Sequence, residues 1–269
     1  MRQAFALIGL CSMLPLTGPA SATPPLEAYG KLPMIEDAAI APDGARVAMI
    51  VTNGEQRNVA VFTARDLKLV LNVVAGNERV REIQWAGSRH IIVTVSSTSR
   101  VADVEGAKRE WAVPLDVDLD ARKVRPLLAG VDQGMNVILS KPMIRTVNGK
   151  PLAFIEGFYF REGLGRDSLF KFDFDTGQTT LVREGHDHTL DWLVDREGQP
   201  LAEDEFDADA RKWRLRIRSG GGWSTAKLSA DSIEHPVLAG LGRDGSSVLV
   251  GDSIDAKGGS TQQVLREIA

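Results

Sequence analysis

Two closely spaced histidines, His186 and His188, are the residues whose types and spacing most directly suggest chemistry. They flank Asp187 in the segment EGHDHTLDW. Histidines two positions apart share one face of a β-strand, where both rings could bind a metal ion. A metal site needs three or four converging ligands, and this part of the sequence offers no third one. The sequence therefore favours a loop between structural units and predicts no metal ligand here.

Carboxylates are clustered in two further segments. DVDLD, residues 116–120, begins like a calcium loop, but Ala121 replaces the required glycine and Leu127 lies where the bidentate glutamate belongs. Its alternation predicts an ordinary strand with one polar face. The acidic run AEDEFDADARK, residues 202–212, is interpreted as a solvated hairpin turn. Glycoside hydrolysis needs two carboxylates on either side of a sugar bond, and the sequence singles out no such pair.

The segment REGLGRDSLF, residues 161–170, contains two glycines and two arginines. It lacks the Gly-Lys-Ser/Thr ending of a phosphate-binding loop, so a surface loop is the main prediction. An alternative is that Arg161 and Arg166 face a central channel and hold a peptide carboxylate.

Composition indicates an ordinary globular protein. The 269 residues carry a formal net charge of -4, and 43% of them are hydrophobic. A weakly negative chain has no general attraction to nucleic acid or to an anionic membrane, so neither is expected as a partner.

The first 22 residues have the features of a signal peptide. Arg2 precedes a short apolar run, and Ala20-Ser21-Ala22 offers the small residues that signal peptidase needs. We expect cleavage after Ala22 and a periplasmic or secreted product, with a retained membrane anchor as the alternative. Cys11, the only cysteine, lies in this segment, so the mature chain should contain no disulfide and no thiol nucleophile.

The elements that must position the remaining residues recur along the chain. Turns centred on glycine each lead into an apolar strand at intervals of roughly 40–60 residues, which is typical of propeller blades. A second series of polar turns lies between them, and a hairpin from each series makes one four-stranded antiparallel sheet. The glycine turns are centred on Gly44, Gly87, Gly149, Gly198 and Gly245.

The repeats predict an all-β fold for residues 23–269, a β-propeller with about four complete blades and a partial fifth. The longest interval is assigned to a loop at residues 96–110. A sheet left without a neighbour exposes an apolar face, so we expect either a small closed ring or the front part of a larger protein. The predicted blades cover about 35–75, 79–130, 138–186, 188–229 and the residues from about 234 onward.

The stretch PPLEAYGKLPMIEDAAIAPDGARVAMIV, residues 24–51, resembles the opening of secreted bacterial serine peptidases of the prolyl oligopeptidase family (S9). The matching features are the acidic and apolar lead and the Pro-Asp-Gly turn with its following strand. The resemblance implies an N-terminal propeller followed by an α/β-hydrolase domain that carries the catalytic Ser, Asp and His.

The nucleophile of that family sits in a Gly-x-Ser-x-Gly elbow between a strand and a helix. The nearest string in this sequence is GDSID, residues 251–255, with Asp255 where the second glycine belongs. We therefore predict no catalytic residue, no cofactor and no metal in this chain, and no activity of the chain alone.

The resemblance implies a propeller that gates the access of peptides to a catalytic domain absent from this chain and expected downstream. The alternative is a standalone periplasmic propeller that binds a protein or peptide partner. A carboxylate-based glycan-processing propeller is a third hypothesis.

Overall fold

The computed structural model describes residues 26–54, 56–76, 78–100, 107–230, 235–256 and 260–269. The predicted signal peptide and Cys11 lie outside these residues. A one-turn helix, α1, spans Leu26–Tyr29 in a first unit that ends at Leu32, and the second unit is Pro33–Ala269. Within the described part of the chain, no helix has the length and apolar character needed to span a membrane.

The second unit consists of five antiparallel sheets, numbered here in chain order. The first sheet contains β1 (Ile35–Ile40), β2 (Arg46–Asn53), β3 (Gln56–Thr63) and β4 (Leu69–Val74). The second contains β5 (Arg79–Ala86), β6 (His90–Ser99), β7 (Arg109–Asp118) and β8 (Lys123–Pro126). The third contains β9 (Met143–Val147), β10 (Lys150–Arg161), β11 (Leu164–Asp173) and β12 (Gln178–Arg183). The fourth contains β13 (Thr189–Val194), β14 (Pro200–Asp207), β15 (Lys212–Ser219) and β16 (Gly222–Ala230). The fifth contains β17 (Val237–Leu241), β18 (Val248–Ala256) and β19 (Ser260–Ile268).

Each sheet is a meander in which every strand pairs with the next strand of the chain. The predicted glycine turns lie between the first and second strands of the sheets. Gly44 and Gly245, for example, have φ angles of 70° and 78°, a left-handed conformation that side chains with a Cβ rarely adopt. The propeller prediction is therefore confirmed, with four four-stranded sheets and a fifth that has three strands among the described residues.

Successive sheets pack face to face through apolar clusters. One cluster joins Ile50 and Val61 of the first sheet to Trp85 of the second, and another joins Ile92 of the second to Phe170 of the third. The alternation of strand residues explains this stacking, because each sheet presents one apolar face to the sheet before it and one to the sheet after it. A fully buried side chain of this size contributes about 1.5–3 kcal/mol through the removal of apolar surface from water.

Two tryptophans hold the fourth sheet between its neighbours. Trp192 packs with Phe154 and Leu169 of the third sheet, and Trp213 belongs to the cluster that contains Val248 of the fifth. Both tryptophan side chains are buried. The fourth sheet is therefore fixed on both faces, which matters because it carries most of the functional candidates described below.

The two end sheets of this series differ from the inner sheets. The face of the first sheet that points away from the second includes Ile40 and Leu69, which are 69% and 55% exposed. On the corresponding face of the fifth sheet, Val237 and Leu265 are also exposed. Apolar side chains remain in contact with solvent at both end faces.

The structure bears on two predictions about loops, and the one for the acidic run was wrong. Of the loop predicted at residues 96–110, residues 96–99 and 109–110 belong to strands β6 and β7, and residues 101–106 lie outside the described part of the chain. The same interval also contains the connection 127–142 between sheets. In the acidic run, residues 202–205 form the buried part of β14 rather than a solvated turn. The backbone pairing of β14 with both β13 and β15 places this run inside a sheet, so only the residues after Asp207 form the turn.

Candidate functional site

A cleft of about 680 Å³ lies between the third and fourth sheets. We call it the arginine cleft, because guanidinium groups from both sheets reach into it. Its lining residues come from β11, from the connection between β12 and β13, and from β14, β15 and β16. They are Arg166, His186, Asp187, His188, Glu205, Arg214, Arg216, Trp223 and Thr225.

The connection that carries the histidines is fixed by short hydrogen bonds. The backbone N–H of His186 donates to Thr189 Oγ1 over 2.7 Å, and the Thr189 hydroxyl donates to Glu203 Oε1 over 2.8 Å. The loop predicted around His186 is therefore correct. The two hydrogen bonds through Thr189 also link this loop to strand β14.

Strand β14 contributes two carboxylates to the cleft region. Glu203 and Glu205 are two positions apart and so lie on the same face of the strand, towards the third sheet. The Glu203 side chain is 0% exposed and that of Glu205 is 12% exposed. Burial is the main reason why the pKa of Glu203 is raised, and the hydrogen bond from Thr189 opposes this shift.

Arg216 on β15 lies between these groups. Its Nη1 is 3.3 Å from His186 Nε2, 3.4 Å from Glu205 Oε1 and 3.6 Å from Glu203 Oε2. All three distances exceed the length of about 2.7–2.9 Å that is typical of a charge-assisted hydrogen bond. The guanidinium therefore faces three acceptors without forming a short bond to any of them.

Further arginines surround this centre. Arg214 Nη1 is 3.0 Å from Glu205 Oε2, and Arg183 Nε is 3.9 Å from Glu203 Oε2. The Arg183 guanidinium lies over the Trp223 ring, with its carbon 4.4 Å from the ring centroid. The arginines therefore oppose the effect of burial on Glu203, although the pKa of this carboxyl group remains raised.

The structure separates the two histidines that the sequence pairs. His186, Glu203 and Glu205 each offer a ligand atom, and these atoms lie within 4.8 Å of one another. His188 Nε2 instead lies 3.9 Å from Asp207 Oδ2. The sequence segment around His186 contains no third ligand, and the two additional groups come from another part of the chain. Both additional groups are contributed by β14, and only the pairing of strands across the sheet brings them to the loop.

The arginines predicted to line a channel have local partners. Arg161 and Arg166 both form ion pairs with Glu184, at 3.0 and 2.8 Å, and Arg166 also contacts Asp187. Their segment is the tight hairpin between β10 and β11 rather than a longer surface loop. Arg166 nevertheless lines the arginine cleft, and its side chain is 26% exposed.

A second cleft, of about 470 Å³, lies where strands β9, β13 and β17 approach one another. Glu156 and Asp191 both line it. The backbone N–H of Trp192 donates to Glu156 Oε1 over 3.1 Å and to Asp191 Oδ1 over 3.0 Å, so the two carboxyl groups share one donor. The sequence singled out no carboxyl pair, and the structure supplies this one from two different sheets.

Glu156 and Asp191, together with the nearby Asp167 and Asp204, form what we call the inner carboxyl cluster. Burial, followed by the proximity of Asp191, raises the pKa of Glu156 far above its usual range. The same causes raise the pKa of Asp167 to about 8. Burial raises the pKa of Asp204 to about 7, although the Trp213 indole N–H donates a hydrogen bond to it over 3.0 Å.

The remaining sequence candidates have structural roles. Asp118 at the end of β7 accepts hydrogen bonds from the backbone N–H groups of Asp120 and Ala121, as in an ordinary turn. Asp116 is buried and contacts both His90 and Arg125. Segment 116–120 is thus a strand end, as the alternation predicts. Ser253, of the GDSID string, lies within β18, where its hydroxyl accepts a hydrogen bond from Gln263 over 2.7 Å.

No family model matches the sequence, and no curated protein resembles it. Among solved structures, the Dos1 propeller is 11% identical, with a TM-score of 0.46, and the match covers 81% of this chain and 52% of that one. TolB from Acinetobacter baumannii is 13% identical, with 87% and 54% covered and a TM-score of 0.43. The Pyrococcus horikoshii acylaminoacyl peptidase is 14% identical, with 87% and 37% covered and a TM-score of 0.49. The chain thus spans about half the length of the Dos1 propeller and of TolB, and 37% of the length of the peptidase. At these identities and TM-scores, the similarities carry no argument about activity.

Proposed function

We propose that this chain is the non-catalytic N-terminal propeller of a serine peptidase of the prolyl oligopeptidase family. It gates the access of peptides to an α/β-hydrolase domain that these 269 residues do not contain. In this role the propeller limits entry to small or unfolded chains, excludes water and helps to position the substrate. The leader sequence described above favours a periplasmic or secreted location.

The observation that carries this proposal is the exposed apolar face of the first sheet. Ile40 and Leu69 are each more than half exposed there, although blades of a propeller normally bury this face against a neighbour. Such a face is expected in a series of sheets that is completed by further protein. The opening stretch, residues 24–51, supports the choice of family through its resemblance.

Replacement of Ile40 by Lys tests whether the face is open. We expect Ile40→Lys to reduce self-association and the binding of a hydrophobic dye, with an unchanged melting temperature, because the charge then enters water rather than a core. Ile50→Lys, on the opposite face, is the matched control and should prevent folding, since Ile50 is buried against the second sheet. A melting temperature that falls strongly in Ile40→Lys contradicts the open face.

The same preparation should not hydrolyse chromogenic dipeptide substrates. Turnover that co-purifies with the chain, and that a serine-directed inhibitor blocks, contradicts a non-catalytic role. Ser253→Ala is a suitable control for such a signal, because Ser253 is the serine of the string nearest to a nucleophile elbow.

A standalone propeller that binds a peptide or protein partner is the second candidate. The arginine cleft favours it, because this cleft combines charged groups with the Trp223 ring and is formed by the third and fourth sheets alone. This function requires a soluble monomer with one sharp thermal transition. Peptide binding that is measured by fluorescence anisotropy and lost in Arg166→Ala would favour it over the gating role.

A further inference from the structure

The arginine cleft contains a buried carboxylate oxygen that neither function explains. Glu203 Oε2 has no hydrogen-bond partner among the described residues, although the Glu203 side chain is fully buried. The other oxygen, Oε1, is bound by the Thr189 hydroxyl. An unsatisfied buried acceptor costs about 1–3 kcal/mol or more when it is charged, so a compensating ligand is the natural explanation.

The unsatisfied oxygen points towards two further metal-ligand groups. Ligand atoms of His186, Glu203 and Glu205 lie within 4.8 Å of one another. In a tetrahedral zinc site, metal–ligand distances of about 2.0–2.2 Å place neighbouring ligand atoms somewhat closer than this. Small side-chain adjustments are therefore enough, and His186, on the exposed connection before β13, has the freedom to make them. One imidazole nitrogen and two carboxylates suit zinc and manganese.

The Arg216 guanidinium supplies positive charge to the three groups of this centre. Its Nη1 lies within 3.6 Å of an atom of each of the three groups, but a single nitrogen cannot satisfy all of them. The Arg216 side chain is 23% exposed, and its guanidinium carbon is 5.8 Å from the Trp223 ring centroid. The guanidinium can therefore leave the centre and remain over an aromatic face.

We propose that His186, Glu203 and Glu205 bind one divalent transition-metal ion, zinc or manganese, in exchange for the Arg216 guanidinium. The exchange replaces three long contacts with short coordination bonds and gives Glu203 Oε2 a partner. It also releases a free guanidinium at the mouth of the cleft, beside Trp223. The metal would thus control whether the cleft presents Arg216 to an anionic group of a ligand.

Calorimetric titration of the full chain with zinc chloride and with manganese chloride, after treatment with a chelator, tests the proposal. We expect one equivalent of metal to bind. Glu203→Gln and Glu205→Gln should each weaken binding by about tenfold or more, since the loss of even a supporting group commonly costs that much. His188→Ala is the matched control, because this histidine belongs to the same connection but lies near Asp207.

The reverse effect is expected at Arg216. Arg216→Met removes the competing cation and keeps much of the side-chain volume, so it should bind metal more tightly than the wild type. Glu205→Gln keeps the test valid if Glu203→Gln does not fold, because Glu205 is less deeply buried.

Three results would overturn the proposal. The first is no metal binding by either the wild type or Arg216→Met. The second is wild-type affinity in the folded glutamine variants. The third is a loss of affinity in His188→Ala as large as that in His186→Ala, which would assign the metal to the histidine pair instead.

Discussion

The two faces of strand β14 surround buried carboxyl groups with different neighbours. Glu203 and Glu205 face the third sheet, where Arg183, Arg214 and Arg216 surround them. Asp204, between them in sequence, faces the other way and has the Trp213 indole as its hydrogen-bond donor. Three consecutive residues of one strand thus belong to two electrostatic environments, the arginine cleft and the inner carboxyl cluster.

The difference shows that burial alone does not decide the charge of a carboxyl group. In both regions the carboxyl groups have lost water, which disfavours the ionised form. In the arginine cleft, nearby guanidinium groups oppose this effect, although burial still raises the pKa of Glu203. In the inner carboxyl cluster, the neighbours are other carboxyl groups, which add to the effect, so a bound proton takes the place of the cation.

Alkaline pH should reveal this difference most strongly. The folded-state pKa of Asp167 is raised to about 8, and that of Glu156 is raised further above its usual range. The folded protein therefore retains protons that the unfolded chain releases, and stability decreases as pH rises through this range. Because the unfolded carboxyl groups release their protons near pH 4, we expect the free energy of unfolding to fall by on the order of 4–6 kcal/mol between about pH 4 and about pH 9. Urea unfolding at several pH values measures it, and a flat profile contradicts the prediction.

Replacement of one member of the inner carboxyl cluster should reduce this pH dependence. Asp167→Asn removes an ionisable group, so we expect it to be more stable than the wild type near pH 9 by roughly 3–5 kcal/mol and little changed near pH 4. Asp209→Asn, in the exposed turn after β14, is the matched control and should reproduce the wild-type profile. A uniform destabilisation of Asp167→Asn at every pH would mean that its charge is needed for the fold.

The same type of change in the arginine cleft should have the opposite sign. Glu205→Gln, studied without metal, leaves Arg214 and Arg216 without one of their carboxylate partners. We expect a loss of roughly 1 kcal/mol, limited by the solvent that reaches both arginines. Thermal unfolding at neutral pH measures this loss. An increase in stability would show that repulsion between the carboxylates of the cleft outweighs their ion pairs with the arginines.

The smallest effect is expected at the rim of the cleft. The Arg214 side chain is 48% exposed, so Arg214→Ala should cost no more than about 0.5 kcal/mol, and about 1 M salt should remove the difference from the wild type. Parallel melts at low and high salt test this. A cost that persists at high salt would indicate that the Arg214 side chain acts through packing.

The fold was largely predictable because its signals are local. The turns at Gly44 and Gly245 and the alternation of strands such as KWRLRIR each lie within about ten residues, and the structure confirms them.

The candidate sites were not predictable in the same way. Glu203 comes to lie beside His186 because β14 pairs with β13 and because Thr189 joins the two segments. Glu156 and Asp191 meet only because β10 and β13 belong to neighbouring sheets. A charge run such as 202–212 is usually solvated, and only the arginines and the tryptophan supplied by β15 allow its first part to be buried.

The linear stacking of the sheets has a consequence for how the molecule opens. Each sheet is held mainly by its immediate neighbours, so stability is distributed like that of a chain of coupled repeats. The fifth sheet has three strands among the described residues and one packed face. Its amide hydrogens should exchange with solvent before those of the fourth sheet, because Trp192 and Trp213 pack the fourth sheet against a neighbour on each face. Fraying from this end would loosen the second cleft, through β17, while the arginine cleft stayed intact.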